Sequence, residues 1–426
     1  MIRRRTSAQA LAGRPRRARF AMSAGGPSRY AGSMGPCGFR RRGLPERVGA
    51  APPVRGPRRE SVAMPAPSDV PIAVEEVVPG VYRIAIPIPA PLRDVNAYAL
   101  RGPGGWTLVD AGFHTPEAEA AWHQAFRQLG IAPRDVEAIV VTHFHPDHLG
   151  AAGWLQTLTG APVYMHEREI DVARRVWQPA ALDGYAAFAD RHGVPDELGP
   201  TLTARRRKVL DWVAPPPRPT PIRPGEALPL GGRRWEVVWA PGHTDGLVVL
   251  WQPEEGWLLA DDMVLPGISP NISAGPQAAP DPLGRYLESL RRVARLPARL
   301  VLPGHRAPFT DLAARCAELE EHHRRRLEAI EAIVDRGGEV TAWQVATELF
   351  GRVMDTPANV EFALGETVAH LDYMVRRGRL QATWRERTRT PGTDAIPPAV
   401  AAADPGQAPG LSRSAPQRAV IVYRRA

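Results

Sequence analysis

The feature that most constrains the fold is a nine-residue segment, THFHPDHLG at 142–150, in which three histidines and one aspartate fall within six positions. The apolar run before it has the length and composition of a buried strand. If that strand continues, His143 and His145 project from one side and can bind one metal ion. Asp147 and His148 then follow on a turn and can bind a second. Imidazole and carboxylate suit zinc and similar first-row metals.

The alternative interpretation of this segment is a surface loop that is rich in histidine. It is disfavoured because the downstream sequence supplies the further ligands that a two-metal site requires. Each of three later segments follows or ends an apolar, strand-like run. They are PGHTDG at 241–246, LLADD at 258–262 and LPGH at 302–305.

These segments, in this order, resemble those of the metallo-β-lactamase-fold hydrolases, and the similarity extends from about Val74 to the C-terminus. The resemblance implies an α/β fold, a four-layer αββα sandwich. It also implies seven metal ligands. The first metal would be bound by His143, His145 and His243. The second would be bound by Asp147, His148 and His305. Asp262 would bridge the two metals.

The sequence departs from the family pattern at one ligand position. The family has Gly-Asp where this chain has Asp261-Asp262. Asp262 is assigned as the bridging ligand because the residues at 263–266 then fit those that follow it in the family. Asp261 is the reserve candidate.

A centre of this kind predicts a hydrolase that uses two divalent metal ions, with zinc as the default and iron or manganese as alternatives. The nucleophile would be a hydroxide held between the metals, since metal binding lowers the pKa of water. Asp147 would be the catalytic residue that orients this hydroxide and passes a proton to the leaving group. No Ser or Cys elsewhere has a persuasive nucleophilic motif.

Three functions stay open on the sequence. The preferred one is hydrolysis of carboxylic thioesters, or of related acyl esters or lactones, with a small acyl molecule as substrate. The second is metal-dependent cleavage of RNA or single-stranded DNA. The third is a non-enzymatic regulator whose C-terminal domain binds DNA, supported only by Arg376, Arg377 and Arg379. A β-lactamase proper is less favoured because no secretion signal is recognised.

The predicted domain order has three parts. Residues 1–63 form a disordered Arg-rich tail, or else precede the true start of the protein. A hydrolase domain follows at 64–312, and its helical insertion at 168–214 is expected to overhang the metals and shape the substrate pocket. The last part is a C-terminal domain at 313–426 with a flexible loop at 385–417.

The C-terminal domain has the pattern of a small winged-helix module. Three predicted helices precede two strand-like runs, at 380–384 and 420–423, which could pair as a hairpin. The third helix, at 361–377, places Phe362 on its apolar stripe. The sequence AHLDY at 369–373 resembles the C-terminal module of one subgroup of the superfamily, in which some members resemble thioesterases and at least one kind acts on RNA.

Local signals predict individual elements around the motif. Thr115 as cap, Pro116 at the first position and Gly130 at the end predict a helix, and residues 149–158 predict another. Asp110 begins a loop that resembles a family loop near the metals. It either orients a ligand histidine or simply forms a turn.

The distribution of charge along the chain indicates which classes of binding partner are favoured. The tail at 1–63 holds 15 arginines and two acids, so it carries +13 and the rest of the chain carries −4 of the total of +9. A mildly acidic body is a poor surface for tracking phosphates, so nucleic acid is not the favoured partner. The basic run at 205–208 is more simply a solvated helix face than a contact for the phosphates of a coenzyme A thioester.

Cysteine usage and hydropathy bear on location. Cys37 and Cys316 lie far apart and make no disulfide framework, which suits a reducing cytoplasm. No run of 18 apolar residues exists, so no membrane span or membrane partner is expected. The sequence leaves open whether the chain forms a homodimer.

Overall fold

The computed structural model describes residues 72–89, 92–216, 218–387 and 419–426. The predicted tail at 1–63 and residues 388–417 of the predicted flexible loop lie outside this part of the chain. The described residues belong to one unit that spans 65–426. Among the residues that the structure describes, no helix is long and apolar enough to cross a membrane.

Two sheets form the centre of this unit. The first has its strands in chain order: β1 (Val74–Val78), β2 (Val81–Pro87), β3 (Asp94–Arg101), β4 (Trp106–Val109), β5 (Val136–Val141), β6 (Val163–His166) and β7 (Thr220–Ile222). The second has the order β12-β11-β10-β9-β8, and its strands are β8 (Ala227–Leu230), β9 (Arg233–Trp239), β10 (Val248–Gln252), β11 (Trp257–Asp261) and β12 (Leu300–Pro303). Strands β4 to β7 are mutually parallel, as are β11 and β12.

The helices that precede the C-terminal part cover these sheets or insert between strands. They are α1 (Pro116–Leu129), α2 (Pro146–Leu149), α3 (Ala152–Thr159), α4 (Glu167–Val176), α5 (Ala181–Arg191), α6 (Gly199–Leu210) and α7 (Pro282–Val293). The segment at 168–214, predicted as a helical insertion, contains helices α4, α5 and α6 together with a 3-10 turn at Asp196–Leu198.

Hydrophobic clusters define the layers. Between the sheets, Leu100 and Val140 of the first pack with Trp235 and Leu259 of the second. The outer face of the first sheet is covered by α1 and α3, and the outer face of the second by α7 and the helices that follow it. The fold is therefore the α/β sandwich with four αββα layers that the sequence predicted. Burial of one Leu-sized side chain contributes about 1.5–3 kcal/mol, so each layer contact is substantial.

Helix α1 forms for the local reasons read from the sequence. Thr115 accepts a hydrogen bond from a backbone N–H of the first turn, Pro116 occupies the first position, and Gly130 ends the helix at φ +66°. The buried Trp122 donates from Nε1 to the carbonyl of Ala111 at 2.8 Å. This bond fixes the loop after β4, which lies beside the metal-binding motif.

Two local expectations around the motif need correction. Strand β5 ends at Val141, so the condition under which His143 and His145 would share a strand face is not met, and both lie on the loop that follows. The single helix predicted at 149–158 is two helices, α2 and α3, separated at Gly150. A Cβ at Gly150 would lie 2.3 Å from the carbonyl oxygen of Pro146, so the close approach of backbone here requires glycine.

The C-terminal part has three helices and a small sheet. In chain order they are α8 (Leu312–Gly337), β13 (Val340–Thr341), α9 (Ala342–Phe350), α10 (Pro357–Arg376), β14 (Leu380–Glu386) and β15 (Ala419–Arg425). The sheet order is β13-β15-β14. The predicted hairpin of β14 with β15 is confirmed. The strands are longer than predicted, because Arg385 pairs with Val420 and Glu386 with Ala419, so 385 and 386 do not belong to a flexible loop.

The prediction for Phe362 is wrong. This residue was predicted on the apolar stripe of α10, but its side chain is 48% exposed. Its ring instead lies under the guanidinium of Arg205 from α6, 5.7 Å from the ring centroid.

His192, at the end of α5, provides a test of burial in the insertion. Burial lowers the pKa of His192 to about 3. The unfolded chain binds a proton below pH 6.5 and the folded chain does not, so the free energy of unfolding should fall as pH drops from 6.5 toward 3. One such histidine contributes up to about 1.4 kcal/mol per pH unit.

We expect urea unfolding of the chelator-treated protein at pH 6 and pH 5 to show this loss. His192→Gln should reduce the loss by about 1.2 kcal/mol. Equal losses in the two proteins would contradict the buried, uncharged state of this side chain.

Candidate metal centre

All seven predicted ligands lie at one edge of the sandwich, just beyond strand ends. His143 and His145 lie on the loop between β5 and α2, and Asp147 and His148 lie in α2 itself. The other three follow β9, β11 and β12, which belong to the second sheet; they are His243, Asp262 and His305. Loops held at both ends by strands can place side chains rigidly while leaving one side open for a substrate.

The first group of side chains brings together His143, His145 and His243 with ligand atoms within 4.8 Å of one another. His143 Nε2 and His145 Nδ1 are 3.0 Å apart. His243 Nδ1 donates to the carbonyl of Asn271 at 3.0 Å, which directs Nε2 toward the other two rings. Three imidazole nitrogens at this spacing are able to hold one divalent ion.

The second group comprises Asp147, His148 and His305, again within 4.8 Å. Asp147 Oδ2 lies 3.3 Å from His305 Nε2 and 3.8 Å from His148 Nε2. His305 Nδ1 donates to the carbonyl of Asp94 at 3.0 Å, so its Nε2 faces the site. The Asp147 side chain is 20% exposed, so this group meets the solvent on the Asp147 side.

Asp262 stands between the two groups. Its Oδ2 is 3.5 Å from His243 Nε2 and 3.6 Å from His148 Nε2, and its Oδ1 is 3.7 Å from His305 Nε2. Asp261, the reserve candidate, lies behind the histidines: its carboxylate is 3.6 Å from His143 Nδ1 and 3.2 Å from His148 Nδ1. Asp262 therefore faces the ring nitrogens that point into the site, and Asp261 faces the nitrogens that point away.

Asp110 lies beside Asp261 on the same outer side. His148 Nδ1 donates to Asp110 Oδ2 at 3.1 Å, and the N–H of Thr142 donates to Asp110 Oδ1 at 2.9 Å. The hydroxyl of Thr142 also contacts Asp261. Of the two roles considered from the sequence, orienting a ligand histidine or forming a turn, the structure favours the first, because Asp110 bonds to His148 of the motif.

The first sheet also holds the loop of His305, which belongs to the second. Asn96 Nδ2 donates to the carbonyls of Pro303 and Arg306 at 2.8 and 2.7 Å, and the hydroxyl of Tyr98 donates to Pro303 at 2.8 Å. Gly304 is necessary here: a Cβ would lie 2.3 Å from Asp261 Oδ1 and 2.5 Å from Asp262 Oδ1. A larger residue would fill the centre of the site.

The residues fit a cation because several buried polar atoms that face the centre have no hydrogen-bond partner. They include His148 Nε2, His243 Nε2 and Asp262 Oδ1. Buried polar groups are normally satisfied, and such atoms converging on one point are satisfied by metal coordination.

Electrostatics divides the histidines into two kinds. Burial lowers the pKa of His143 and His243, and it lowers that of His145 to about 3, so these rings are neutral at pH 7. Burial acts in the same direction on His148 and His305, but the charges of the neighbouring aspartates outweigh it and raise the pKa of both rings. Neutral imidazole is the form that binds metal.

The aspartates of the site also differ in the direction of their pKa shifts. Burial opposes ionisation of Asp147, but the charges of His148 and His305 prevail and lower its pKa to about 2. The imidazoles likewise lower the pKa of Asp262 despite its burial. Asp261 has a raised pKa because of burial and of the charge of Asp110. The two carboxylates that face the site are therefore the ionised ones.

Two residues that support the metal-binding loops belong to no recognisable sequence motif. Glu169 of α4 is fully buried, accepts hydrogen bonds from the N–H groups of Phe144 and Gly246, and has its pKa raised to about 7 by burial. Its sequence signal is only its position, since Glu169 shares a helical stripe with the buried Val172, Ala173 and Val176. Asn271 lies between β11 and α7, and its carbonyl accepts a hydrogen bond from His243 Nδ1.

Three histidines outside the motif are engaged by other residues. His166 caps α4 by accepting from the N–H of Arg168 at 3.3 Å. His114 pairs with Glu119 at 2.9 Å, and His123 packs edge-on against Trp154.

Comparison with known proteins agrees with the fold. Residues 90–305 match the family model of the Metallo-beta-lactamase superfamily. Residues 327–389 match the model of the Metallo-beta-lactamase-like, C-terminal domain. The crystal structure of a metallo-beta-lactamase family protein from Thermus thermophilus superposes with a TM-score of 0.65 at 38% identity, covering 72% of this chain and 96% of that one.

Two curated relatives carry functional names. The probable metallo-hydrolase YqjP of Bacillus subtilis is 28% identical over 323 residues, covering 72% of this chain and 96% of the relative. The atrochrysone carboxyl ACP thioesterase of Aspergillus fumigatus is 22% identical over 282 residues, covering 63% of this chain and 71% of the relative. The αββα fold and the histidine–aspartate centre are those of a metallo-hydrolase, and the chain belongs to the metallo-β-lactamase superfamily.

Metal binding should be visible in stability. Addition of Zn²⁺ to chelator-treated protein is expected to raise Tm, because a ligand at about a thousand times its Kd adds about 4 kcal/mol to the free energy of unfolding. His243→Gln should lose a large part of this gain, whereas His114→Gln, which alters a histidine outside the centre, should keep it. Equal gains in both variants, measured by thermal unfolding, would contradict the site.

Proposed function

We propose that the chain is a binuclear metal-dependent hydrolase whose substrates are carboxylic thioesters or related acyl esters and lactones. The observation that supports two metals is the position of Asp262. One of its oxygens lies 3.5 Å from His243 Nε2 and 3.6 Å from His148 Nε2. A single carboxylate between two groups of imidazoles is suited to bridging two cations.

In this proposal the first metal is held by three histidines, the second by one aspartate and two histidines, and Asp262 is shared. The ligands are, in that order, His143, His145 and His243; Asp147, His148 and His305; and Asp262. Zinc is the default metal for this donor set, with iron or manganese as alternatives. Bound divalent metals lower the pKa of water and polarise a substrate carbonyl or phosphoryl oxygen.

Asp147 is the proposed catalytic residue. Its pKa of about 2 keeps it ionised at neutral pH, and its side chain is the site carboxylate that meets solvent. An ionised carboxylate in this position can accept a hydrogen bond from water, orient its oxygen toward the substrate, and pass a proton to the leaving group.

A protein nucleophile is not required. Cys316, the cysteine within the described residues, is 3% exposed, and burial raises the pKa of its thiol to about 12. A buried, protonated thiol is a poor nucleophile. Direct attack by water is therefore the route that the site supports best.

Nucleic acid is disfavoured as a substrate by the state of the arginines. Arg376, Arg377 and Arg379, which supported a DNA-binding role in the sequence, pair with acids of the same chain. Their partners are Asp372 at 2.7 Å, Asp281 at 3.1 Å and Glu331 at 2.6 Å. Side chains already neutralised in this way offer little to phosphates.

Two arginines of the basic run in the insertion are engaged similarly. Arg205 and Arg206 both pair with Glu361 of α10, and Arg206 lies over the ring of Tyr185. These contacts support the interpretation that the run is no phosphate site. The thioesterase named among the relatives favours an acyl substrate.

We also propose that the C-terminal part is a winged helix. Three helices, a short strand between the first and second, and a hairpin after the third give the order α8-β13-α9-α10-β14-β15. Its contacts with the loop at 271–274 and with α6 support a role in building the substrate pocket, and a winged-helix shape does not itself imply DNA binding.

Thiol release from a panel of acyl thioesters tests the proposal. Zinc-loaded protein should turn over at least one of them, and Asp262→Asn should abolish turnover because it removes the shared anionic ligand. Asp261→Asn is the matched control: it changes a carboxylate behind the histidines, where substitutions cost about 10- to 100-fold in affinity or activity.

Equal activity of Asp262→Asn and the unaltered protein would contradict the bridging role. If the metal-loaded protein leaves every thioester intact and instead cleaves RNA, the nuclease alternative is favoured. That cleavage should be measured with protein that begins at Met64, to remove the basic tail, and at two salt concentrations, since phosphate contacts weaken steeply with salt.

A further inference from the structure

Helix α4 contacts the metal centre through one residue that lies between two of its histidines. Phe144 separates His143 from His145, and both of its backbone polar groups bond to this helix or its cap. The N–H of Phe144 donates to Glu169 Oε2 at 2.7 Å. The carbonyl of Phe144 accepts from Trp177 Nε1, at the C-cap of α4, at 2.8 Å.

The same carboxylate reaches the loop of the third histidine. Glu169 Oε1 accepts from the N–H of Gly246, three residues after His243. Two loops from different sheets therefore share one buried acceptor. The side chain is 0% exposed, so solvent does not compete for either hydrogen bond.

The surroundings show that this contact is tightly fitted. A Cβ at Gly246 would lie 2.6 Å from His166 Nδ1 and 2.9 Å from Glu169 Oε1, so only glycine allows α4 to approach the loop this closely. The next residue back, Asp245, is held separately: its carbonyl accepts from Trp239 Nε1 at 3.1 Å. The plane of His166 stacks on Trp239.

We propose that Glu169 is a positioning residue for the first metal and that α4 fixes its three histidines before the metal arrives. By bonding to Phe144 and Gly246, the carboxylate sets the separation of the pair His143 and His145 from His243. This role differs from the pocket-shaping role expected for the insertion. The inference rests on the proposed metal centre.

The test measures metal binding to the full chain, without substrate. Glu169→Gln keeps the size of the side chain but replaces one acceptor oxygen with an N–H₂ group, which cannot accept from a backbone N–H. Its matched control is Glu167→Gln, two residues earlier on the same helix, at an exposed position. Trp177→Phe is a second variant that removes the donor to Phe144 and keeps an aromatic ring.

The readouts are Co²⁺ or Zn²⁺ affinity, by competition with a chromophoric chelator, and the visible spectrum of the Co²⁺ form. Unaltered protein and Glu167→Gln should each bind two equivalents. Glu169→Gln should bind one of the two about 10- to 100-fold more weakly, with a changed Co²⁺ spectrum, and the other equivalent should be unaffected. Trp177→Phe should weaken the same equivalent.

The outcomes separate this inference from the proposed function. Failure of the unaltered protein to bind metal would overturn both. Two equivalents bound to the unaltered protein, with the same affinities and spectrum in Glu169→Gln, would overturn only the role of Glu169. If Glu169→Gln does not fold, as judged by circular dichroism of the metal-free protein, unchanged binding by Trp177→Phe overturns the role of α4.

Discussion

The interaction on which the rest of the structure depends is the enclosure of three carboxylates among five imidazoles at the edge of the sandwich. Burial of charged groups costs free energy unless partners compensate. Here the compensation is incomplete, because the inward nitrogens of His148 and His243 and one oxygen of Asp262 lack partners. Divalent cations would satisfy these atoms, so binding of metal at this site would stabilise the fold.

This dependence explains why the two sheets must be packed so firmly. His148 comes from the first sheet and His305 from the second, yet they serve one group of ligands. Asn96 and Tyr98 of the first sheet bond directly to the carbonyl of Pro303 in the second. Behind them, the core formed by residues such as Trp235 and Leu259 fixes the distance between the sheets. A small shift between the sheets would therefore separate the ligands.

The sequence predicted the fold and the composition of this site because the ligand types are concentrated in short segments that follow apolar strands. It predicted their orientation less well. Strand periodicity suggested that His143 and His145 share a strand face, whereas β5 ends at Val141 and the loop sets their directions. The sequence also could not separate Asp261 from Asp262 by itself, since adjacent residues differ only in which side of the histidines they face.

Residues that act at a distance along the chain were the least predictable. Glu169 is 77 residues from Gly246, its hydrogen-bond partner, and no local pattern reports such a contact. Its one signal is a charged residue on the apolar stripe of α4, where a carboxylate is expected only if buried donors satisfy it. Phe362 gave the opposite error, because helical spacing predicts a buried side but not which neighbours are present to cover it.

Both accessory elements converge on the same histidine loop. From one side, α4 accepts from Gly246, just after His243. From the other, Asn271 accepts from His243 Nδ1 through its carbonyl, and its side chain donates to the carbonyl of Phe362 at 3.2 Å and to Glu366 at 3.3 Å, both on α10.

His243 is therefore the ligand whose position depends on the sandwich, the insertion and the C-terminal part together. His148 is fixed within the sandwich by Asp110, and the pair His143 and His145 is held through the hydrogen bond of Phe144 to Glu169 of α4. A substitution that loosens the insertion or the C-terminal part would consequently act first on the position of His243.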